Sequence, residues 1–194
     1  LGEKQGNEIS SLSNTALSMG ILDFFGRRNN DFVKLSDTSD TYGPGPVIIF
    51  YNIPSGISDD ELTDMISDGA PAATKISGSH GVPFQRFGVN DKIDGTVAEV
   101  LDGVLRTNGL RMEDAGNSQD YTPSVIPLIY FSGISNAEMM QTYNIIAREI
   151  FKETGGMGNA ACAKAVEPAI EKEFFQVLTE ISGDHKEALE TSLQ

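Results

Sequence analysis

Two apolar runs interrupt a chain whose other hydrophobic residues are spaced rather than continuous, Val47-Ile48-Ile49-Phe50-Tyr51 and Val125-Ile126-Pro127-Leu128-Ile129-Tyr130-Phe131. Both are rich in β-branched and aromatic residues and lead into a glycine, the pattern of a buried strand that enters a tight turn. The segment after each run is repeated. Ser55-Gly56-Ile57-Ser58-Asp59-Asp60-Glu61-Leu62 returns 77 residues later as Ser132-Gly133-Ile134-Ser135-Asn136-Ala137-Glu138-Met139, and a one-residue gap brings the preceding runs into register. Ser58 with Glu61, and Ser135 with Glu138, have the S-x-x-E spacing in which a hydroxyl caps a free N–H and the carboxylate reaches back to the cap residue. Leu62, Met65 and Ile66, and then Met139, Tyr143, Ile146, Ile150 and Phe151, recur at helical spacing. The repeated unit is strand, glycine turn, capped amphipathic helix.

The pattern continues past this unit. Gly69-Ala70-Pro71 ends the first helix, and Ala73 to Ser77 and Phe84 to Val89 read as strands joined by Gly78-Ser79-His80-Gly81. Thr96 to Arg106 reads as a helix with its own T-x-x-E box at Thr96 and Glu99 and an apolar face of Val97, Val100, Leu101, Val104 and Leu105. Asn108 to Thr122 is polar and forms the seam between the halves. The helix from Asn136 runs to about Glu153 and stops at Gly155-Gly156-Met157-Gly158, after which Pro168 suits the first turn of a last helix. Its apolar face is Ile170, Phe174, Val177, Leu178 and Ile181, so that an offset near 73 matches Val97, Leu101, Val104 and Leu105 to Ile170, Phe174, Val177 and Leu178. The class expected is α+β, because the apolar runs are separated by material too mixed for a clean βαβ series. It comprises two pseudo-twofold-related halves, each a small antiparallel or mixed sheet packed with amphipathic helices. The boundaries fall at 1–43 for an N-terminal arm and linker, 44–120 for the first half and 121–194 for the second.

Charge narrows the partners. Fourteen basic residues against 28 acidic ones leave a net charge of −14 and a pI near 4.4, which disfavours nucleic acid and anionic membranes. No apolar run approaches the roughly 20 residues that span a bilayer. Cys162 is the only cysteine, which excludes an internal disulfide framework and a Cys-rich zinc site. The catalytic inventory is thin. His80 sits in a glycine-rich turn, His185 in the acidic last helix, and Cys162 in an Ala-rich stretch, with no ligand-like or nucleophile–base spacing among them. Asp59, Asp60, Asp64 and Asp68 lack the loop spacing of an EF-hand and read as a solvated helix face. The two Ser-Gly-Ile-Ser turns lack a G-x-G-x-x-G fingerprint and a Walker lysine, and the acids after the first would repel an anion, so they read as scaffold joints. No catalytic, cofactor or metal residue is assigned.

The first 34 residues carry four basic and four acidic residues, so the acid excess lies downstream. Within them Ser10 to Met19 is Ser/Thr-rich, small and free of acid, as plastid transit segments are. It resembles the processing region of plastid preproteins of diatoms and related algae, where a run like Thr-Ala-Leu-Ser-Met precedes the mature domain. Beyond it Ile21, Leu22, Phe24 and Phe25 form an apolar plug on a polar arm, which reads equally as a first core helix or as a segment that docks on a neighbouring subunit.

The duplicated strand-turn-helix unit, the Ser-Gly-Ile-Ser pair, the acidic chain without a catalytic signature and the plastid-like arm together resemble the pyrenoid shell proteins of diatoms, over roughly Pro44 to Leu193. The resemblance implies a chloroplast protein of the stroma, at the pyrenoid periphery, that polymerises with itself into a thin sheet around the Rubisco-filled pyrenoid and supports carbon dioxide concentration without catalysis. It requires no cofactor, and it makes Rubisco-matrix proteins candidate further partners. Two related halves offer two related edges, and contacts that do not close on themselves propagate into lattices. Ile21, Leu22, Phe24 and Phe25, with Leu189 and Leu193 at the other end, are the expected self-assembly contacts. Ser55, Gly56, Ser58, Glu61, Ser132, Gly133, Ser135 and Glu138 are expected to be structural. The competing readings are a plastid enzyme or small-molecule binder with its site between the halves, and an acidic assembly factor that binds a basic partner.

Overall fold

Strands that are apolar at every position need cover on both faces, and two of the strands here meet that description. In the computed structural model, which describes residues 41–107 and 121–192 with side chains from 186 onward left aside, β1 (Val47–Tyr51) and β3 (Leu128–Ser132) are buried at all their positions. They pair antiparallel, with Ile49 opposite Tyr130. Outside them lie β2 (Phe84–Phe87), parallel to β1, and β4 (Ala161–Lys164), parallel to β3, in the order β2-β1-β3-β4. The class is α+β, with one mixed four-stranded sheet drawing two strands from each half of the chain. That differs from a small sheet in each half, and the reason is physical: a two-stranded ribbon is marginal in water, whereas four joined strands bury both central ones.

Helices cover both faces. On one side pack α1 (Asp59–Gly69), α2 (Pro71–Ser77) and α4 (Asn136–Glu153), which enclose Ile48, Phe50, Ile129 and Phe131 with Leu62, Ile66, Met139, Tyr143, Ile146 and Ile150. On the other pack α3 (Val97–Thr107) and α5 (Phe174–Ser192), which enclose Ile49, Tyr51, Leu128 and Tyr130 with Val97, Leu101, Val104, Phe174, Leu178 and Ile181. The alternation of β1 and β3 residues between two cores follows from the twofold side-chain period of a strand.

Several local expectations change. Ala73 to Ser77 is helical, within α2; Pro71 opens that helix, where its missing N–H costs nothing, and the alanines favour it. Pro168 lies in a 3-10 turn at Glu167–Ala169, and α5 begins only at Phe174. The glycines after α4 lead into β4 rather than into a helix. The starts of α3 and α5 lie 77 residues apart, the same interval as the Ser-Gly-Ile-Ser pair. The backbone agrees, since Val97 N–H donates to Lys172 O at 2.9 Å while Phe174 N–H donates to Gly95 O at 3.0 Å. The expected offset of 73 is thus one helical turn short. Residues four apart share a helix face, so hydrophobic periodicity alone does not separate the two registers.

α1 and α4 approach closely at Gly69, where a Cβ atom would stand 2.5 Å from Thr142 Cα and 2.8 Å from Thr142 N. Only glycine lets α1 and α4 approach this closely. Gly69→Ala is expected to destabilise the protein by about 1–3 kcal/mol, the cost of overpacking a core contact, read as a lower midpoint in urea unfolding. An unchanged midpoint would mean that the two helices are not held at this spacing.

Candidate functional site

The turn between β1 and α1 is built by its own caps and by a cation from the next strand. Ser58 Oγ accepts from Glu61 N–H at 3.2 Å, and Glu61 Oε2 accepts from Ser58 N–H at 2.8 Å, which completes the capping box. The Ser58 backbone N–H, and after it the Ser58 hydroxyl, donate to the Glu61 carboxylate and hold it below the usual carboxylate range. Arg86 on β2 then reaches across the turn. Its guanidinium donates to Ile57 O at 2.7 Å and Pro54 O at 2.9 Å, and pairs with Asp59 at 3.0 Å. One planar fork thereby fixes three points of the joint.

The turn between β3 and α4 uses the same placement with different chemistry. Ser135 Oγ accepts from Glu138 N–H at 3.3 Å. Glu138 also ties the layer together, because its Oε1 accepts from Ala72 N–H at 2.6 Å in the first turn of α2, where a helix N-terminus favours negative charge. Lys164 on β4 donates to Asn136, the first residue of α4, as Arg86 on β2 binds Asp59, the first residue of α1. Each outer strand therefore sends a basic side chain to the opening residue of a helix. Sequence reading missed both cations, whose partners lie 27 and 28 positions away.

The other structural residues of the repeat are placed unequally. Ser55 and Gly56 lie exposed in the turn, whereas Ser132 is the last residue of β3 and is buried, its hydroxyl donating to Pro44 O. Gly133 takes a φ of +65°, and a Cβ there would meet Gly45 Cα at 2.8 Å. The first turn is longer by a segment that starts at Asn52, a buried non-glycine residue at φ 52°. Asn tolerates this left-handed region. Its side chain accepts from Thr122 N–H at 2.9 Å and donates to Thr122 O at 3.0 Å and Val125 O at 2.6 Å. Asn52 thus ties the start of the second half to the end of β1.

The expected self-assembly residues Ile21, Leu22, Phe24, Phe25 and Leu193 lie outside the described residues, as does the side chain of Leu189 in α5. The structure leaves other large apolar side chains in solvent. Ile76 on α2 is 74% exposed, Phe151 on α4 46%, Met157 in the following loop 70% and Phe175 on α5 50%. Ile76 and Phe151 stand on the α1/α2/α4 side and Phe175 on the other.

Titratable groups are dispersed. Cys162 is buried on β4, and burial pushes its thiol up to about 12, so at neutral pH it is an inert thiol. His80 is exposed in the turn after α2. His185 is half-buried on α5, where desolvation lowers its pKa and a contact with the Asn159 backbone opposes that shift. Among the described residues no group of three or more His, Cys, Asp or Glu side chains is arranged to hold a metal ion, and no helix is long and apolar enough to cross a membrane. Gly155 and Gly156, at φ +63° and +84°, close α4 in a Schellman motif: Gly156 N–H donates to Phe151 O at 2.8 Å and Gly155 N–H to Lys152 O at 2.9 Å. Those donors are thereby used by the helix end rather than offered to a phosphate.

A cavity of about 230 Å³ lies between α1 and the turn that joins α2 to β2. Thr63, Asp64, Ser67, Thr74 and His80 line it together with the buried Ile66 and Val82. Its lining comes wholly from the first half. Comparison with protein-family models, with curated proteins and with solved structures returned no match.

Arg86→Met, which keeps the apolar stem and removes the fork, is expected to cost about 1.5–3 kcal/mol, in line with hydrogen bonds made by a charged group that is only partly in solvent. Lys92→Met breaks the Lys92–Asp94 pair, whose side chains are 84% and 71% exposed, and is expected to leave the unfolding midpoint unchanged. Denaturant titration of both variants checks this, and equal effects would contradict the assigned role of Arg86.

Proposed function

We propose that this chain is a structural, self-assembling protein, forming a sheet or shell around the Rubisco-containing pyrenoid of an algal plastid in the manner of the pyrenoid shell proteins it resembles. The observation that carries the reading is the exposure of Ile76, Phe151, Met157 and Phe175 on both sides of the sandwich. Isolated apolar residues on a surface are ordinary, but Ile76 and Phe151 stand on one helical layer and Phe175 on the layer that faces the opposite way. A subunit held on both sides and at its ends needs such contacts. With a net charge of −14, copies repel one another at long range, so their cohesion has to come from apolar burial at about 25 cal/mol per Å² rather than from ion pairing.

The strand order supports a pseudo-twofold subunit. The sheet reads the same from either edge, with a parallel pair on each side of an antiparallel centre, and heterologous contacts between such subunits extend into lattices. In this reading the protein is its own main partner, Rubisco-matrix proteins are secondary ones, and the stroma at the pyrenoid periphery is its place. The small-molecule reading would draw on the cavity beside α1, and saturable binding of nucleotides, carbon dioxide or metal ions without polymer formation would favour it.

The triple variant Ile76→Glu, Phe151→Glu, Phe175→Glu tests the proposal by light scattering. The critical concentration for assembly is expected to rise at least about tenfold with an unaltered far-ultraviolet circular dichroism spectrum, and removal of residues 1–34 is expected to weaken assembly separately. Assembly indifferent to both changes would remove the basis for these contacts.

A further inference from the structure

Both outer strands are entered from a loop of the form Gly-x-x-Gly. Gly78-Ser79-His80-Gly81 precedes β2, and Gly155-Gly156-Met157-Gly158 precedes β4. In each the first glycine ends a helix with positive φ, +78° at Gly78 and +63° at Gly155. Because β2 and β4 are the two edges of the sheet and run antiparallel to each other, the two loops sit at diagonally opposite corners of the molecule. Their contents differ. The corner before β2 holds the 230 Å³ cavity. The corner before β4 carries a knob, Met157 with Phe151, whose ring would lie 3.3 Å from a Cβ at Gly156.

We propose that Met157 of one copy docks into the cavity between Thr63, Ser67, Thr74 and His80 of the next, as a heterologous contact that propagates by translation. This rests on the self-assembly reading above and names the surface it uses. Three observations support it. A translation that carries one corner onto its diagonal opposite brings the two corners together, and a contact of that kind does not close on itself. The cavity is smaller than the roughly 300–1,000 Å³ that holds drug-sized ligands, which suits a single inserted side chain, and the unbranched thioether of methionine adapts to irregular walls. The knob is also available for such a contact, since Met157 is 70% exposed.

The sheet edges suit this less well. In the β1–β2 ladder Phe87 O faces β1, which turns Arg86 O outward, and Gln85 Nε2 already donates to Arg86 O at 3.0 Å. At the other edge Cys162 and Lys164 are buried. Edges blunted in these ways resist strand addition.

Disulfide trapping tests the contact. In a Cys162→Ser background, Ser79→Cys and Met157→Cys are combined in one chain and oxidised mildly under assembling conditions. A denaturing gel is expected to show a ladder of trimers and longer species, while each single-cysteine variant stops at dimers. Met157→Asp, which places a carboxylate against Asp64, is expected to raise the critical concentration at least about tenfold with an unchanged melting temperature. If the parent chain forms polymers but the double-cysteine chain gives nothing beyond dimers, this contact is wrong and self-assembly stands. Dimers of Met157→Cys with no ladder would assign the knob to an isologous contact and also overturn the proposal. A parent chain that stays monomeric at every concentration would overturn both this contact and the functional reading.

Discussion

The antiparallel ladder between β1 and β3 governs the rest of the molecule. Its residues are buried on both faces, so neither half of the chain can satisfy its central strand alone. Ile48, Phe50, Ile129 and Phe131 require one helical layer, and Val47, Ile49, Leu128 and Tyr130 require another. The backbone groups of these strands lie out of reach of water and need partners on both sides, which β2 and β4 supply. Sheet order, the two-layer helical cover and the joining of the halves all follow from that pairing.

Placed against this ladder, the repeated turns work as joints. Each converts the end of a central strand into the start of a helix on the α1/α4 side, and each is held from the neighbouring outer strand, by Arg86 in one case and Lys164 in the other. The helices then meet at Gly69 and Thr142, where the backbones nearly touch. Thr142 Oγ1 and Tyr130 Oη remain buried without partners, and burial raises the Tyr130 pKa.

Much of this architecture is legible in the residues. The apolar runs mark β1 and β3, the S-x-x-E and T-x-x-E spacings mark the starts of α1, α3 and α4, and the glycine cluster after α4 is a helix end rather than a phosphate loop. The features that escape sequence reading have particular causes. Ala161-Cys162-Ala163-Lys164 is too short and too poor in β-branched residues to read as a strand; its pairing with β3, which no local pattern encodes, makes it one. Ala73 to Ser77 reads as extended only when Pro71 is taken as a stop instead of an opening. Asn52, Arg86 and Lys164 act through partners far away in sequence, and a single polar residue at a strand end or edge gives no periodic signal. The cavity is invisible for the same reason, since α1 and the α2–β2 turn meet only in the fold.

Function turns on whether the exposed apolar side chains are surplus or contacts. On the proposed reading, Ile76 and Phe151 on one helical layer and Phe175 on the other would be the contacts of a layered assembly. Negative-stain electron microscopy of the purified chain across a concentration series, without added ligand, tests that account most directly. Extended sheets or tubes that appear above a threshold concentration are predicted. Uniform particles of a single 20.9 kDa chain at every concentration would contradict it.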